Sequence, residues 1–296
     1  MTLTDTYKTV KPSIVAIVAE FSRNPDFPDI VGTGFFARED GVVFTNRHVI
    51  EAIAQLPRRK GSEDFPIKVL MFDHQPDRGM RTLALNVHGV ALIKLDPIPG
   101  VNYGDDRPDL GCIVLKDVKG VPVLPISASR VIDEGEDIAV AGFPMGTQTL
   151  RAPGWIHQLG PTLQRGVIAA VLPMPCTTPH AILLDIMVQG GSSGSPVFSV
   201  ETGEVVGIVY AGLLEQYGMA SDKALHTYKV PTTMTLAVPS HLLKAVLDNL
   251  DVQLPHLREL AQHKKDLKDF MAGLEEKTIQ PKSLRLEAAR EEIVEP

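Results

Sequence analysis

Short β-prone runs separated by glycine and proline turns are the feature that most constrains how this chain can fold. The 296 residues include 24 glycines and 23 prolines, which punctuate apolar runs rich in β-branched side chains. The predicted strands cover residues 13–20, 34–38, 42–45, 68–72, 83–94, 112–116, 137–142, 164–172, 181–186, 195–199, 205–211 and 234–238. Runs of this length, with turn signals such as Glu39-Asp40-Gly41 between them, are typical of an all-β barrel or sandwich.

Helices are predicted at only two places in the first 250 residues. One is a short turn over residues 49–54. The other covers residues 240–250, where Ser240 has a side chain suited to an N-cap.

The composition changes after Asp251, and residues 251–296 are predicted to form a charged helical tail. Its apolar residues recur at helical spacing, interrupted by Lys264, and are Leu257, Leu260, Leu267, Met271 and Leu274. The stripe is too short to define a coiled coil. Two interpretations stay open: a helix that packs on its own domain, or one that binds a partner or a second copy through residues 256–275.

Charge and composition exclude several classes of protein. The chain has 29 basic and 36 acidic residues, a formal net charge of −7, which argues against a nucleic acid or an anionic membrane as partner. No apolar run approaches the length of a membrane span. The N-terminus lacks the pattern of a secretory signal, and the two cysteines, Cys112 and Cys176, cannot form a disulfide framework. The expected location is therefore the cytoplasm.

A glycine-rich serine segment carries the sharpest chemical signal. Residues 190–197 are Gly-Gly-Ser-Ser-Gly-Ser-Pro-Val, between a β-prone run and an apolar strand. Glycines on a tight turn aim successive backbone N–H groups into one concave spot, and they leave a serine hydroxyl accessible to a carbonyl. Acyl transfer needs this arrangement, although a plain glycine–serine turn has the same composition.

A histidine in a strand–turn–strand frame is the second signal. The segment from Gly41 to Ile50 places His48 at a strand end, at the start of a helical turn. A single histidine is more often structural or exposed than catalytic. Of the nine histidines, however, His48 alone follows a glycine-turn hairpin.

In order along the chain, four segments resemble the trypsin-like serine peptidases, closest to the HtrA/Deg-like branch. They are Gly32-Thr33-Gly34-Phe35 with Thr45-Asn46-Arg47-His48-Val49, the acidic segment Pro108-Asp109-Leu110-Gly111-Cys112-Ile113-Val114, Gly142-Phe143-Pro144-Met145-Gly146, and Gly191-Ser192-Ser193-Gly194-Ser195-Pro196. The similarity covers roughly residues 10–250. It implies two six-stranded antiparallel β-barrels of the chymotrypsin-like type, roughly 10–120 and 121–250, a C-terminal helix, and no PDZ domain after residue 250.

The resemblance also implies a role for individual residues. His48 matches the general base and Ser193 the nucleophile, and the N–H groups of Gly191 and Ser193 match the oxyanion hole. Asp109, which enters an alternating apolar strand, matches the acid. Its rivals are Asp105, Asp106 and Asp96, because the long stretch over residues 55–105 weakens the match there.

The substrate pocket and the overall activity follow from the same resemblance. The S1 walls would come from Met187, Val188, Tyr210, Gly212 and Thr235, none of them charged, so we expect apolar P1 residues. The function is predicted to be that of a serine endopeptidase on protein or peptide substrates, without metal or cofactor. A catalytically inactive peptidase fold that serves as a binding module is the alternative.

Overall fold

The computed structural model describes residues 1–20, 29–56, 65–75, 79–95, 108–127, 131–145, 160–221, 224–250 and 284–288. Strands dominate it: β1 Ile14–Ala19, β2 Ile30–Arg38, β3 Val42–Thr45, β4 Ile67–Gln75, β5 Gly79–Leu95, β6 Gly111–Leu115, β7 Asp137–Gly142, β8 Thr162–Leu172, β9 Ala181–Asp185, β10 Pro196–Ser199, β11 Val205–Ser221, β12 Ala224–Pro239 and β13 Leu284–Ala288. The α-helices are α1 Leu3–Val10, α2 Arg47–Ala54 and α3, residues 240–250, and a 3-10 helix over Lys11–Ser13 follows α1 directly. In these described ranges no helix is long and apolar enough to cross a membrane.

The strands form two closed antiparallel barrels, as predicted. In the first, the order β5-β4-β1-β2-β3-β6 closes through pairing of β5 with β6. In the second, the order is β10-β11-β12-β9-β8-β7. The chain therefore has the two six-stranded barrels of the chymotrypsin-like fold.

Side-chain alternation explains why both faces of several strands are buried. In β1, Val15 and Ile17 pack inside the first barrel, while Ile14 and Ala16 join a second cluster that also holds residues of the other barrel. In β7, Ile138 and Val140 fill the second barrel, while its alternate alanines face that same shared cluster. Because successive strand residues point to opposite faces, each barrel has its own interior and both contribute to a common core between them.

Helix α1 was not predicted, and it lies against the second barrel before the chain enters the first. The hydroxyl of Thr2 accepts a hydrogen bond from the amide of Asp5, which caps the helix. Buried Thr6 donates its hydroxyl to the carbonyl of Val200 at 2.7 Å, and Tyr7 donates to the carbonyl of Pro161 at 2.7 Å. These contacts join residues far apart in sequence, so local periodicity gave little sign of the helix.

Two boundaries near the C-terminal end differ from the predictions. Ser240 is already the first helical residue of α3 rather than a cap outside it. Residues 284–288 of the predicted helical tail are instead strand β13, which pairs with the end of β5. The alternation of Leu284, Leu286 and Ala288 with charged residues has the period of a strand, which accounts for this error. The leucine stripe over residues 257–274 lies outside the described residues.

Candidate active site

Strand pairing brings His48 and Asp109 together. Thr45 at the end of β3 pairs with Gly111 at the start of β6, so the residues just after β3 lie beside those just before β6. Asp109 accepts the backbone N–H of His48 at 3.0 Å through one carboxylate oxygen, and its other oxygen lies 2.5 Å from His48 Nδ1. Both ring and backbone of His48 are thus held by a single carboxylate. The rival acids Asp96, Asp105 and Asp106 lie outside the described residues.

The glycine-rich loop consists of two consecutive turns. Ser192 donates its backbone N–H to the carbonyl of Gln189 at 3.0 Å, and Ser195 donates to the carbonyl of Ser192 at 2.9 Å. The third residue of each turn is a glycine with positive φ, 93° at Gly191 and 88° at Gly194. Turns of this kind require φ above zero at the third position, which glycine adopts without strain. A Cβ on Gly194 would also lie 1.9 Å from the carbonyl oxygen of Thr33.

The loop presents one serine and two backbone amides. Ser192 and Ser195 are buried, whereas Ser193 is partly exposed. Among the described residues, the amides of Gly191 and Ser193 donate to no other protein group. Within the described ranges, these two N–H groups therefore have no protein acceptor.

Thr33 of β2 fastens this loop to the first barrel, a role that the sequence did not indicate. Its backbone N–H donates to the carbonyl of Ser193 and its hydroxyl to the carbonyl of Gly191, each at 2.8 Å. The same hydroxyl accepts the N–H of Phe143 at 3.0 Å, just after β7. One buried threonine thus connects the serine loop, the first barrel and the second barrel. Its position between two glycines in Gly32-Thr33-Gly34 was the available signal.

A cavity of about 290 Å³ opens beside Ser193. Its walls are Val188, Gln189, Gly190, Ser193, Val209, Tyr210, Ala211, Gly212, Leu214 and Pro231. No residue of this wall is charged. Three residues expected in the S1 pocket, Val188, Tyr210 and Gly212, are therefore in the same cavity as Ser193.

The two other residues expected there are placed differently. Met187 is 40% exposed but is not on the wall, and its carbonyl accepts from the side chain of Gln164 at 3.0 Å. Thr235 is fully buried and donates its hydroxyl to the carbonyl of Ile186 at 2.5 Å. Its contact is therefore with the chain leading into the loop and not with the cavity.

Tyr210 places the cavity close to the acidic residue. Burial raises the pKa of its hydroxyl, and the negative charge of Asp109 raises this pKa further. Tyr210 also borders the cavity with Ser193. A Cβ on Gly32 would lie 2.9 Å from the side chain of Val49, the residue after His48, and 3.3 Å from the carbonyl oxygen of Ser193, so the histidine segment and the serine loop meet at Gly32.

Comparisons with known proteins identify the family of the chain. The family model of the trypsin-like peptidase domain matches residues 32–208, more than half of the chain. The chain is 25% identical over 246 residues to the serine protease HTRA4 of Mus musculus, covering 81% of this chain and 39% of that protein. It is 22% identical over 249 residues to the mitochondrial serine protease HTRA2 of Bos taurus, covering 83% of this chain and 42% of that protein.

Solved structures support the fold. The serine endoprotease from Yersinia pestis matches with a TM-score of 0.50 and 20% identity, over 84% of this chain and 66% of that one. The chain belongs to the trypsin-like peptidase family, and the resemblance to its HtrA/Deg branch is confirmed. It spans about two-fifths of the length of the curated relatives named above.

Proposed function

We propose that this protein is a serine endopeptidase that cleaves peptide bonds through Ser193, His48 and Asp109. The observation that carries the proposal is the contact of 2.5 Å between His48 Nδ1 and Asp109, and the partly exposed Ser193 between two glycine turns supports it. A serine hydroxyl is a weak nucleophile until a base accepts its proton, and the base needs a third group to fix its tautomer.

In the first half of the proposed reaction, Asp109 accepts the Nδ1–H of His48, which leaves Nε2 free to accept a proton. The oxygen of Ser193 bonds to the carbonyl carbon as its proton passes to Nε2. The N–H groups of Gly191 and Ser193 stabilise the negative oxygen, a contribution of about 10²–10³ in rate for each such donor. The C–N bond then breaks, and His48 returns the proton to the leaving amine.

In the second half of the reaction, water is the nucleophile and the oxygen of Ser193 is the leaving group. His48 takes a proton from water as the water oxygen bonds to the acyl carbon. The ester bond to Ser193 breaks, and His48 returns the proton to the serine oxygen. The two products are a carboxylic acid and an amine, and no metal or redox cofactor takes part in the proposed reaction.

The proposed S1 pocket is the uncharged cavity beside Ser193. A charged P1 side chain would lose its hydration there without gaining a partner of opposite charge, which is unfavourable. We therefore infer a preference for small or medium apolar P1 residues. A preference for Arg or Lys in a digest of a peptide library would contradict this.

Labelling with a fluorophosphonate probe tests the proposed activity, with peptide cleavage as a second readout. Ser193→Ala should abolish both while the circular dichroism spectrum stays unchanged. The matched controls, Ser192→Ala and Ser195→Ala, remove the neighbouring hydroxyls and should keep both. A folded wild-type protein that is neither labelled nor active would favour the inactive binding module instead. Full activity in Ser193→Ala would overturn the assignment of the nucleophile.

A further inference from the structure

Strand β5 has two backbone edges, and three other strands share them. Strand β4 pairs with residues 79–86, β6 with residues 87–92, and β13 with residues 91–95. Ala91 and Leu92 therefore have partners in both β6 and β13. Because a strand residue pairs with one neighbour on each side, β13 lies on the edge of β5 opposite β6. It covers part of the edge that β4 leaves uncovered after residue 86.

The register shows which backbone groups of β5 face β13. Ile93 donates its N–H to the carbonyl of Leu110 at 3.2 Å, on the side of β6. Along an antiparallel strand, hydrogen-bonded pairs alternate with pairs that exchange no hydrogen bond, so the residues on either side of Ile93 bond toward β13. The resulting pairs are Leu92 with Glu287 and Lys94 with Arg285. About four backbone hydrogen bonds thus connect β13 to β5.

The same stretch of β5 holds the segment that carries the acid. Ile93 bonds to Leu110, the residue directly after Asp109. A Cβ on Gly111 would lie 3.1 Å from the carbonyl oxygen of Ala91, and both Ala91 and Ile93 are buried. Strand β5 therefore packs closely against the backbone that follows Asp109, and a displacement of β5 here would displace the acid.

We propose that β13 is a positioning element of the candidate active site, which holds β5 over residues 91–95 and thereby keeps Asp109 in contact with His48. This inference rests on the proposed peptidase function and adds to it a segment that follows the two barrels in the chain. No described residue of the cavity wall belongs to β13. Strand β13 therefore acts on the rate through Asp109 and not by binding the substrate.

Two shortened proteins test the proposal. One ends after residue 283 and lacks β13, and the matched control ends after residue 288 and keeps it. The first should lose about tenfold in kcat on a short peptide with KM changed less than about twofold, because a small misplacement of a catalytic group lowers the rate strongly. The control should match the full chain. Hydrogen exchange of the amides in 91–93 and 110–112 should be faster only in the first protein.

A synthetic peptide of residues 281–291 provides a rescue experiment. Among the described strands, only β5 pairs with β13, so the free peptide should bind the vacated edge and restore kcat to the protein that ends after residue 283, in a saturable manner. N-methylation at Arg285 and Glu287 should abolish the rescue, because these N–H groups face β5. N-methylation at Leu286 and Ala288 should preserve it. Equal rescue by the two methylated peptides would overturn the proposed pairing.

Two proline variants of the full chain repeat the test without truncation. Glu287→Pro removes an N–H that faces β5 and should lower kcat like the loss of β13. Leu286→Pro places the ring on the outer edge of β13, where proline is tolerated, and should cleave like the wild type. Equal kcat in the two variants would contradict the role of β13.

Failure of this proposal is separable from failure of the proposed function. Wild-type kcat and unchanged hydrogen exchange in the protein that ends after residue 283 would overturn the role of β13 alone. A dimer whose activity per molecule rises with concentration would show that β13 pairs with a second copy, which would also overturn it. Absence of probe labelling and peptide cleavage in every form would instead overturn the peptidase function, and hydrogen exchange would still report whether β13 holds the segment of Asp109.

Discussion

The side-chain amide of Asn46 donates a hydrogen bond to the backbone carbonyl of Asp109 at 2.8 Å. Asn46 is fully buried and lies two residues before His48, the residue that the Asp109 carboxylate holds. Asn46 therefore holds the backbone of Asp109, and the carboxylate of Asp109 in turn holds His48. Asn46 is not among the described residues that line the cavity, so the contribution that we expect it to make to catalysis is one of position.

Replacing Asn46 with leucine, a side chain of similar size without a donor, should lower kcat with little change in KM. A lost hydrogen bond of about 1–1.5 kcal/mol in the orientation of Asp109 corresponds to roughly a tenfold change in rate. Steady-state kinetics and a pH profile of kcat would measure the effect. Asn86→Leu, at an exposed position of β5, is the control. Wild-type kcat in Asn46→Leu would show that Asp109 is positioned without it.

Thr33→Val should disturb the serine loop more than Thr45→Val does. The first variant removes the hydroxyl that donates to Gly191 and leaves the buried amide of Phe143 without its acceptor. An unsatisfied buried group of this kind costs about 1–3 kcal/mol. The second variant removes only the donor to the Thr33 carbonyl. Both should lower the unfolding free energy in urea, but only Thr33→Val should slow probe labelling of Ser193. Equal labelling in the two variants would contradict a role for Thr33 in the loop.

Ser195→Ala should leave stability unchanged or raise it by about 1 kcal/mol. The Ser195 oxygen is fully buried, and no described residue bonds to it. It faces Gly142, where an added Cβ would lie 1.9 Å from this oxygen. Removing a buried hydroxyl without a partner removes an unfavourable group, whereas Gly142→Ala should destabilise the protein. Urea unfolding measures both. A loss of more than about 1 kcal/mol in Ser195→Ala would show that the hydroxyl has a stabilising contact.

Stability should fall as pH is lowered below neutrality, in part because of His241. Burial and, less strongly, the positive charge of His180 together lower the pKa of His241 to about 4. An unfolded histidine titrates near 6.5, so between these values the unfolded chain binds more protons than the native one. The contribution of neutral, buried His241 to the free energy of unfolding is therefore complete above pH ~6.5 and is lost as pH falls to about 4. His241→Gln should flatten the dependence of the unfolding free energy on pH. His180→Gln should make this dependence weaker without removing it. An unchanged slope in His241→Gln would refute the assignment.

Activity should not require a newly cut N-terminus. Ser192 stands where digestive members of the resembled family have an aspartate that pairs with an inserted amine, and a neutral residue cannot hold a buried ammonium. In the structure Met1 is 70% exposed, and every residue of β1 is buried in the barrel. A cut before Ile14 would also remove α1 and its contacts with the second barrel. Turnover with an uncleavable N-terminal fusion should match that of the untagged protein. Activity that appears only after a cut near residue 13 would contradict this.

The sequence was most informative where a local pattern determines structure. The runs that became β3 and β7 were predicted to the residue, because β-branched residues lie between clear turn signals. Ser193 and His48 stand in segments whose turns need positive φ at Gly41, Gly191 and Gly194, so glycine marks these turns in the sequence. That the two residues act together was implied by the family resemblance and not by their spacing.

What the sequence did not reveal depends on distant contacts. Helix α1 is held by Val200 and Pro161, and Asn46 by a carbonyl beyond residue 100. Strand β11 was predicted to end at residue 211 and β12 to begin at residue 234, but the two strands pair out to Ser221 and Ala224. Residues 212–217 and 227–230 are all exposed, so no buried face imposes an alternating pattern there. Thr33 is one small residue whose partners come from three parts of the chain. A local periodicity in the sequence cannot predict contacts between residues that are so far apart along the chain.

The division of the site between the barrels has a consequence for biosynthesis. Ribosomes release the chain from its N-terminus, so the barrel with His48 and Asp109 emerges before the strands that flank Ser193. A partly made chain therefore holds an acid and a base but no nucleophile. Under the proposed mechanism, hydrolysis becomes possible only after the second barrel has folded and the serine loop has formed its hydrogen bonds with Thr33. Nascent copies are thereby inert toward one another and toward their neighbours until synthesis of the fold is finished.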